Sequence, residues 1–595
     1  MVTFSLPRGN YTENNSAVVE KDNMNLSVNT PLKFIGMAIL SGAFVASCSN
    51  NSNAGQNEQA REMATQVFKN GAIYTVNPAQ EWAEAVAIRD KEIIFVGNDA
   101  AIEDFVGKDT QVVDLAGKMM MPGFHDVHIH PIESASENTL FSIDTEQTDA
   151  EQFADAIADA AAKNPDAPWL IGYGHSIFTL LESERPPVEI IDDMVPDRPV
   201  IIMEQTSHSM WVNSKALELA GFTDDSEDPV GGMLGRDEQT GKLNGILIDN
   251  AGNIAMDIAM QPTTESLEND YSGLVEYTLP ELARHGITSI SDARSFWQRD
   301  DHKTWLRAAA NGELTVRAAV GLWAYPEMDD AEQIAELKTL YSNDADSLLK
   351  FNQIKLYSDG ILINGTAAMH EPYEIDLMGL AGNRGLDYFS PERLQYYIEQ
   401  LEPTGFDFHI HAIGDRGIHQ ALNAIEAGGS DNGRHRLTHV EIVDPADLPR
   451  FAQLNVTADA QVAGDFTNPE HWDENIELIG QARSGAPVPI KSLYDAGARV
   501  TLSSDWNVSP FNPFIGLQNA VTRVPQALPL AEAIRAYTVN SAYVMRQENK
   551  VGSIEVGKLA DLVILDRNLF EIPADTIAQT RIMMTLFDGE IIYNQ

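Results

Sequence analysis

The chain has 595 residues, of which 44% are hydrophobic and 22% are charged. These fractions are typical of a folded globular protein, and the length allows more than one domain, although an α/β barrel takes up about 250 residues by itself. Asp and Glu number 88 against 40 Lys and Arg, which gives a formal net charge of −48. Such a surface repels nucleic acid and anionic lipid and excludes nucleic acid as a partner. The acidic residues are scattered, which favours a role in solubility over the alternative of cation binding.

An apolar run at 34–47 lies directly before the chain's one cysteine, Cys48, and indicates an N-terminal leader segment. The run is shorter than the ~20 residues needed to span a bilayer, so residues 1–47 are predicted to contain a secretory signal peptide. Val45–Cys48 resembles a bacterial lipobox, which implies an exported lipoprotein with lipid on Cys48, anchored at the outer membrane. The alternative is a plain signal peptide with an incidental cysteine. A single cysteine excludes a disulfide within the chain.

Beyond a Ser/Asn/Gly-rich linker at 48–63, the chain divides into three parts. Short alternating strands at 64–121 predict a first piece of β-sandwich. From 122 to 547, apolar strands alternate with helical runs such as 391–401, which is the pattern of parallel α/β structure. Strand-like segments return at 548–595. Because β segments flank an α/β core, we expect the two ends to pair into one composite β-sandwich.

Two histidines open the α/β part. His128 and His130 lie at the end of an apolar, strand-like run that begins at Pro122. Side chains at positions i and i+2 of a strand point the same way, so both imidazoles can reach one metal ion. Histidines are common in cores and on surfaces, so this pair alone does not establish a metal site.

Further candidate residues stand where later predicted strands end. Lys355, His411, His439 and Asp505 each follow an apolar run and precede turn residues. Around His411, polar and apolar residues alternate with period two, so His409 shares its face but lies deeper and is expected to have a supporting or core role. In α/β barrels the active site lies at the C-terminal ends of the strands. The spacing therefore predicts one site that includes these residues and the histidine pair.

The order of these motifs resembles the amidohydrolase superfamily, in the branch that contains the N-substituted formamide deformylases. The resemblance covers about residues 64–595. It implies a distorted (β/α)8 barrel with an inserted subdomain at about 169–260, besides the composite β-sandwich. The motifs that carry it are Pro122–His130, His208–Leu217, Lys355–Gly360, His411–Arg416, Arg434–His439, Ser504–Asp505 and Val551–Asp561.

The resemblance also implies a metal centre with one or two divalent ions, for which zinc is the expected metal. The implied ligands are His128, His130, Lys355, His411 and His439. A metal lowers the pKa of a bound water toward ~7, and Asp505 would accept the water's proton and return it to the leaving nitrogen. As a cation Lys355 is a poor ligand, but after carboxylation by CO₂ it could bridge two ions. The alternative is a neutral or ion-paired lysine beside one ion.

The expected function is hydrolysis of a non-peptide C–N bond in a small molecule, namely an amide, an N-formyl compound or a cyclic amide. A deaminase of the same superfamily is the alternative within the enzymes. From another class, the chain could be a lipoprotein that keeps the fold as a binding module without turnover. The complete ligand set together with Asp505 favours the enzyme, since a binding protein needs no proton shuttle. The sequence is compatible with a homo-oligomer and does not fix the oligomeric state.

Residues outside the metal set are predicted to contact the substrate or to support a ligand. His208 and Trp211, in the inserted subdomain, are predicted to line the substrate pocket, as are Asp359 and Arg416 beyond two strand ends. For His208 the alternative is a structural cap, and for Arg416 it is a role in steadying its own loop. Asp126 is predicted to orient a ligand histidine from behind.

The sequence departs from the branch at three places. Thr438 stands where a glutamate usually precedes the histidine, Gly174–His175 replaces a Gly-Trp pair, and 361–366 lacks a common arginine. None of these changes removes a predicted metal ligand. They lie where a pocket would be built, so they leave the substrate undefined.

Overall fold

The computed structural model describes residues 63–136, 138–143, 149–375, 382–464 and 467–595. Cys48 and the predicted signal peptide lie outside the described residues, so both remain predictions. Among the helices that are described, none is both long enough and apolar enough to cross a bilayer.

The centre of the molecule is a sheet of eight parallel strands, which we label β1 to β8 in chain order. Neighbours in sequence are neighbours in the sheet, and every residue of β1–β5 is buried, as expected for a parallel sheet covered on both faces. The sheet curls into a nearly closed barrel, in which the Asp505 N–H, just beyond β8, donates to the His128 carbonyl of β1 at 2.8 Å. The strands are Phe124–Ile129, Ile287–Ser295, Arg317–Trp323, Leu349–Tyr357, Asp407–Ala412, Arg436–His439, Thr457–Gln461 and Arg499–Ser503.

Helices connect the barrel strands and cover the outside of the barrel. Pro391–Leu401 shows why they form: Ser390 caps its N-terminus, proline occupies its first position, and its buried residues recur with helical spacing. The helices that precede, connect and follow the strands from β2 onward are Leu279–Arg284, Asp301–Asn311, Asp330–Leu340, Pro391–Leu401, Asp415–Gly428, Leu448–Gln453, Asn475–Ile479, Ile490–Asp495, Pro513–Thr522, Leu530–Ala536 and Val539–Val544.

A second, mixed sheet lies between β1 and β2 in sequence. It begins at Phe141, ahead of the predicted start of the inserted subdomain near Trp169. Its strands are Phe141–Ser142, Leu170–His175, Val200–Glu204, Ser209–Val212, Gly232–Arg236 and Leu243–Asp249. The helices of this region are Ala154–Lys163, Ile177–Leu181, Pro187–Met194, Ser214–Ala220, Asn250–Ala259 and Thr264–Ser272.

The two ends of the described chain form two further sheets, a four-stranded sheet from the N-terminal part alone and a six-stranded sheet to which both ends contribute. In the six-stranded sheet Met119–Pro122 runs antiparallel to Leu562–Leu565, with Met121 opposite Val563. Apolar residues from both ends, including Phe68 and Leu586, share one core. Together with the barrel and the inserted sheet, this arrangement confirms the predicted fold class. The strands are Gln66–Lys69, Ala72–Tyr74, Trp82–Ala83, Ala85–Arg89, Glu92–Gly97, Gln111–Asp114, Met119–Pro122, Leu562–Leu565, Ile582–Phe587 and Glu590–Asn594, with one short helix, Asp99–Ile102.

Candidate active site

A cavity of about 40 Å³ lies at the carboxyl ends of the barrel strands. A volume of this size has room for a few water molecules. The loop Met203–Ser207 of the inserted sheet contributes three of its wall residues, so two parts of the fold enclose it. The predicted site residues that line the cavity are His128, His130, His208, His411, His439 and Asp505.

Asp505 is the point at which three of the five predicted ligands meet. Its Oδ1 lies 3.3 Å from Nε2 of His128 and 3.2 Å from Nε2 of His130, and its Oδ2 lies 3.9 Å from Nδ1 of His439. Burial alone would raise the pKa of Asp505, but the surrounding imidazoles hold it well below its usual value. The carboxylate is therefore ionised. It also lies within 4.8 Å of the ligand atoms of His128 and His130, which is a geometry that could hold a metal ion.

The other ring nitrogens show which atoms are left free to bind a metal. Nε2 of His411 lies 3.1 Å from the Gly360 carbonyl, which can only accept, so that nitrogen carries the proton and Nδ1 is free. Nδ1 of His130 lies 3.0 Å from a Glu133 carboxylate oxygen, an ion-pair distance that leaves Nε2 on the side of Asp505. Burial lowers the pKa of His439 to about 3, so this imidazole is neutral, as a metal ligand must be.

A buried polar network behind β1 sets the orientation of His128. Its Nδ1 lies 2.7 Å from the Thr438 hydroxyl, which donates in turn to Asp459 at 2.9 Å. Thr501 and Ser503 also donate to Asp459. Because the Thr438 hydroxyl donates its hydrogen to Asp459, its lone pairs face His128, and this contact favours the tautomer of His128 with the proton on Nδ1. Nε2 is then free to bind a metal.

His409 competes for the same nitrogen of His128. Its Nε2 lies 3.0 Å from Nδ1 of His128, while its Nδ1 accepts from Arg436 at 2.7 Å. That bond leaves the His409 proton on Nε2. An Nε2–H group at this distance needs an acceptor, so it favours the tautomer of His128 in which Nδ1 carries no proton. Thr438 and His409 thus favour opposite tautomers of His128, and the tautomer that Thr438 favours is the one that leaves Nε2 free.

Lys355 is fully buried on β4, next to His409 of β5 in the sheet. Its Nζ has no hydrogen-bond partner among the described residues. Burial lowers the pKa of the amine well below its usual value, and the opposing influence of Asp505 does not compensate for this. A neutral, unpartnered amine among histidines is the form that reacts with CO₂. The imidazoles and Asp505 fit a site for a divalent ion, whereas a carboxylated Lys355 that bridges two ions stays a prediction.

Trp211 does not line the cavity, so the prediction of a substrate contact there is wrong. Its indole packs in the core of the inserted sheet against Phe153 and donates to the Pro187 carbonyl at 2.9 Å. His208 and Trp211 are three positions apart at the start of one strand, and alternation along a strand places such residues on opposite faces.

Asp359 and Arg416 are also absent from the wall of the cavity, so their predicted substrate contacts are corrected. Asp359 is buried and accepts three backbone N–H groups, at distances of 2.8, 3.0 and 2.8 Å, which fixes the loops beyond β4 and β5. Arg416 pairs with Asp387 at 2.6 Å and donates to the Met369 carbonyl. Arg416 thus takes the alternative role, that of steadying its loop.

Asp126 supports β1 in a different way from the one predicted. Its Oδ1 accepts the backbone N–H groups of His128 and Ser504, each at 3.2 Å. It therefore ties the ends of β1 and β8 together and makes no contact with an imidazole nitrogen within the described chain. The groups that orient the ligand rings are Glu133, Gly360 and Thr438.

Among the cavity residues that were not predicted, Glu133, Arg294 and Tyr357 form one connected polar group. Arg294 on β2 donates to Glu133 at 3.0 Å and to the Tyr357 hydroxyl at 3.0 Å. Two of them carried a signal in the sequence: Glu133 follows His130 by three residues, and Tyr357 follows Lys355 by two and so shares its face of β4. Arg294 carried none, because its role depends on the pairing of β2 with β1.

Comparisons with known proteins agree with this geometry. The profile of the amidohydrolase family matches residues 111–593. The Bacillus subtilis protein YtcJ, described as an amidohydrolase, is 28% identical over 556 residues, covering 89% of this chain and 99% of that protein. The N-substituted formamide deformylase of Arthrobacter pascens is 24% identical, covering 90% of this chain and 99% of that enzyme. The chain belongs to the amidohydrolase family.

Solved structures share the fold. An uncharacterised metal-dependent hydrolase of Pyrococcus horikoshii superposes with a TM-score of 0.66 at 24% identity, covering 86% of this chain and 99% of that structure. An adenosine deaminase of Xanthomonas campestris with bound zinc superposes with a TM-score of 0.51 at 14% identity, covering 89% of this chain and 93% of that structure. At these identities the similarity extends to the fold alone.

Proposed function

We propose that this protein is a metal-dependent hydrolase that cleaves a non-peptide C–N bond in an amide, an N-formyl compound or a cyclic amide. The observation that carries the proposal is the position of Asp505. Its ionised carboxylate forms part of the cavity wall, at 3.3 Å from His128 and 3.2 Å from His130. A carboxylate placed against two imidazoles at the open end of a barrel can accept a proton at the place where a metal would hold water.

The ligands proposed for a divalent ion, with zinc as the proposed metal, are His128, His130, His411 and His439. Such an ion would lower the pKa of a bound water and polarise the scissile carbonyl. Asp505 accepts the proton of the attacking water and gives it to the departing nitrogen, as base and then as acid. Glu133 and Thr438 hold the imidazoles in the tautomers that leave one nitrogen of each ring free.

The names of relatives support the choice of bond. The formamide deformylase of Arthrobacter pascens is named for C–N cleavage. An imidazolonepropionase of Bdellovibrio bacteriovorus is 28% identical over 188 residues, which cover 30% of this chain and 38% of that protein. We propose a substrate of the same broad kind, an amide or a cyclic amide, for the enzyme described here.

The proposal is tested on protein loaded with zinc, whose metal content is measured by mass spectrometry. Formanilide, acetanilide and hydantoin represent N-formyl, N-acyl and cyclic amides, and release of the amine or acid is followed. We expect Asp505→Asn to retain its metal and to lose about 10²–10⁴-fold in kcat, the usual contribution of a positioned acid-base group. The matched control is Asp109→Asn, at a side chain that is 85% exposed on the end sheets, and it should behave like the wild type.

Each result that contradicts the proposal has a distinct meaning. Unchanged hydrolysis by metal-loaded Asp505→Asn would show that Asp505 does not transfer the proton. Release of ammonia from an aminated heterocycle, without amide cleavage, would favour a deaminase. Metal binding without turnover of any probe would favour a binding protein.

A further inference from the structure

His208 and Asp249 are brought together by the register of the inserted sheet. Ser209–Val212 runs antiparallel to Leu243–Asp249, and Ser209 lies opposite Ile248. One step further along this ladder, His208 lies opposite Asp249, whose backbone N–H donates to the His208 carbonyl at 2.8 Å. Directly opposite residues of a ladder direct their side chains to the same face. The side chains therefore meet, with Nδ1 of His208 at 2.6 Å from Oδ1 of Asp249.

This pair is buried, and the Asp249 carboxylate accepts hydrogen bonds from two residues. His208 is 8% exposed and Asp249 is 3% exposed, and the Tyr388 hydroxyl donates to the same carboxylate oxygen at 2.9 Å. A carboxylate can only accept, so Nδ1 of His208 carries the proton. In the neutral ring Nε2 then has a free lone pair, and among the described residues it has no partner. His208 lines the cavity, so this lone pair is available there.

The backbone of Asp249 is an outlier at this position. Its φ of 54° and ψ of −125° lie in a region that residues with a side chain rarely occupy. Backbone of this kind persists where its surroundings fix it, and it clusters at functional sites. A glycine at this position would relieve the strain but would leave His208 without its carboxylate.

A hydrogen-bond donor lies beside this acceptor. The ring of Tyr357 stacks against His208 with 5.6 Å between centroids and 18° between planes, and against His411 with 4.2 Å between centroids. The Tyr357 hydroxyl accepts from Arg294 at 3.0 Å, so its own hydrogen points elsewhere and finds no acceptor in the described part of the chain. The cavity wall next to His411 thus presents an acceptor and a donor side by side.

We propose that His208, fixed by Asp249, accepts a hydrogen bond from the N–H group of the substrate, while the Tyr357 hydroxyl donates to a neighbouring oxygen. The proposed substrates are then amides that retain an N–H group, whether N-formyl, N-acyl or cyclic. Tertiary amides are excluded because they have no N–H group. This inference rests on the proposed hydrolase function and specifies its selectivity. A site built to bind an N–H rejects an analogue that lacks it, because the buried acceptor is left unpaired.

The test compares N–H and N-methyl forms of the same amide. Zinc-loaded wild-type protein is assayed with formanilide and N-methylformanilide, and with acetanilide and N-methylacetanilide. We expect kcat/KM to favour the N–H form by at least about 100-fold. His208→Phe keeps the stacking on Tyr357 but removes the acceptor, so selectivity should fall toward unity with the metal content unchanged. Asp249→Asn, which can donate to Nδ1 and reverse the tautomer, should lose selectivity in the same way.

Trp211→Phe is the matched control, because it alters the core of the same sheet without reaching the cavity, and it should keep the selectivity of the wild type. Equal hydrolysis of the two forms by wild-type protein would overturn the inference and leave the hydrolase intact. Retained selectivity in both the His208 and Asp249 variants would also overturn it, as would loss of metal in His208→Phe, which would make His208 a ligand. Failure of wild-type protein to cleave any amide would instead contradict the proposed function.

Discussion

Thr438 shows how one hydroxyl can control a metal ligand without touching the metal. Its hydroxyl accepts a hydrogen bond from His128 Nδ1 in one tautomer and donates one to Asp459, while His409 lies 3.0 Å from the same nitrogen and favours the other tautomer. The residue was noticed in the sequence only as a departure from the usual glutamate. In the fold, Asp459 on the next strand supplies the carboxylate, and Thr438 transmits its effect to the ring.

Thr438→Val should therefore weaken metal binding. Without the hydroxyl, His409 becomes the neighbour that sets the tautomer, and the His128 proton moves to Nε2, where the metal would bind. Loss of such an orienting partner costs about 10–100-fold in metal affinity. The measurement is a zinc dissociation constant from competition with a chelator.

Two variants serve as controls for Thr438→Val. Thr438→Ser keeps the hydroxyl and should bind zinc like the wild type. Thr457→Val removes a buried hydroxyl that has no hydrogen-bond partner among the described residues, two positions before Asp459 on β7, and should also leave zinc affinity unchanged. Equal affinity in Thr438→Val and the wild type would show that the network does not set the tautomer.

At the scale of elements, strand ends were predictable and strand pairings were not. The ligand positions follow from period-two alternation and from the rule that barrel sites lie at carboxyl ends, both of which are properties of local sequence. The His208–Asp249 pair depends on a register between strands that are distant in the chain, and Arg294 depends on the pairing of β2 with β1. The prediction that Trp211 contacts the substrate was wrong, although alternation along its own strand places its side chain on the opposite face from His208.

The junction between the barrel and the end sheets is held by a buried ion pair. Arg317 at the start of β3 donates two hydrogen bonds to Asp561, at 2.8 and 3.1 Å, and also contacts Asp588. Asp561 belongs to a motif that contributed to the family resemblance. Its contacts give it a structural role, because it joins the end sheets to the side of the barrel remote from the cavity.

Asp561→Ala should destabilise the protein by about 3 kcal/mol, since it leaves the Arg317 guanidinium buried with only Asp588 as a partner. The double variant Arg317→Met/Asp561→Leu removes both charges and should recover most of that loss. The midpoint of urea unfolding measures both effects. If the double variant is as unstable as the single one, the unpaired charge is not the cause.

At the scale of the whole molecule, the cellular location of the protein depends on residues 1–48, which lie outside the described residues. We propose that Cys48 carries a lipid that anchors an exported protein, with the acidic surface facing an aqueous compartment. Cys48→Ala should move the protein from the membrane to the soluble fraction on cell fractionation, and labelling with a radioactive fatty acid should be lost. Wild-type protein that is already soluble would contradict the anchor.

The wall of the cavity is shared between two structures that fold from separate stretches of sequence. The barrel supplies the residues that would perform the chemistry, and Met203–Ser207 and His208 of the inserted sheet supply the opposite wall. Met203–Ser207 contains none of the proposed metal ligands. Evolution, or a protein engineer, could exchange loops of the inserted sheet to obtain new substrate preferences while the catalytic centre stays as it is.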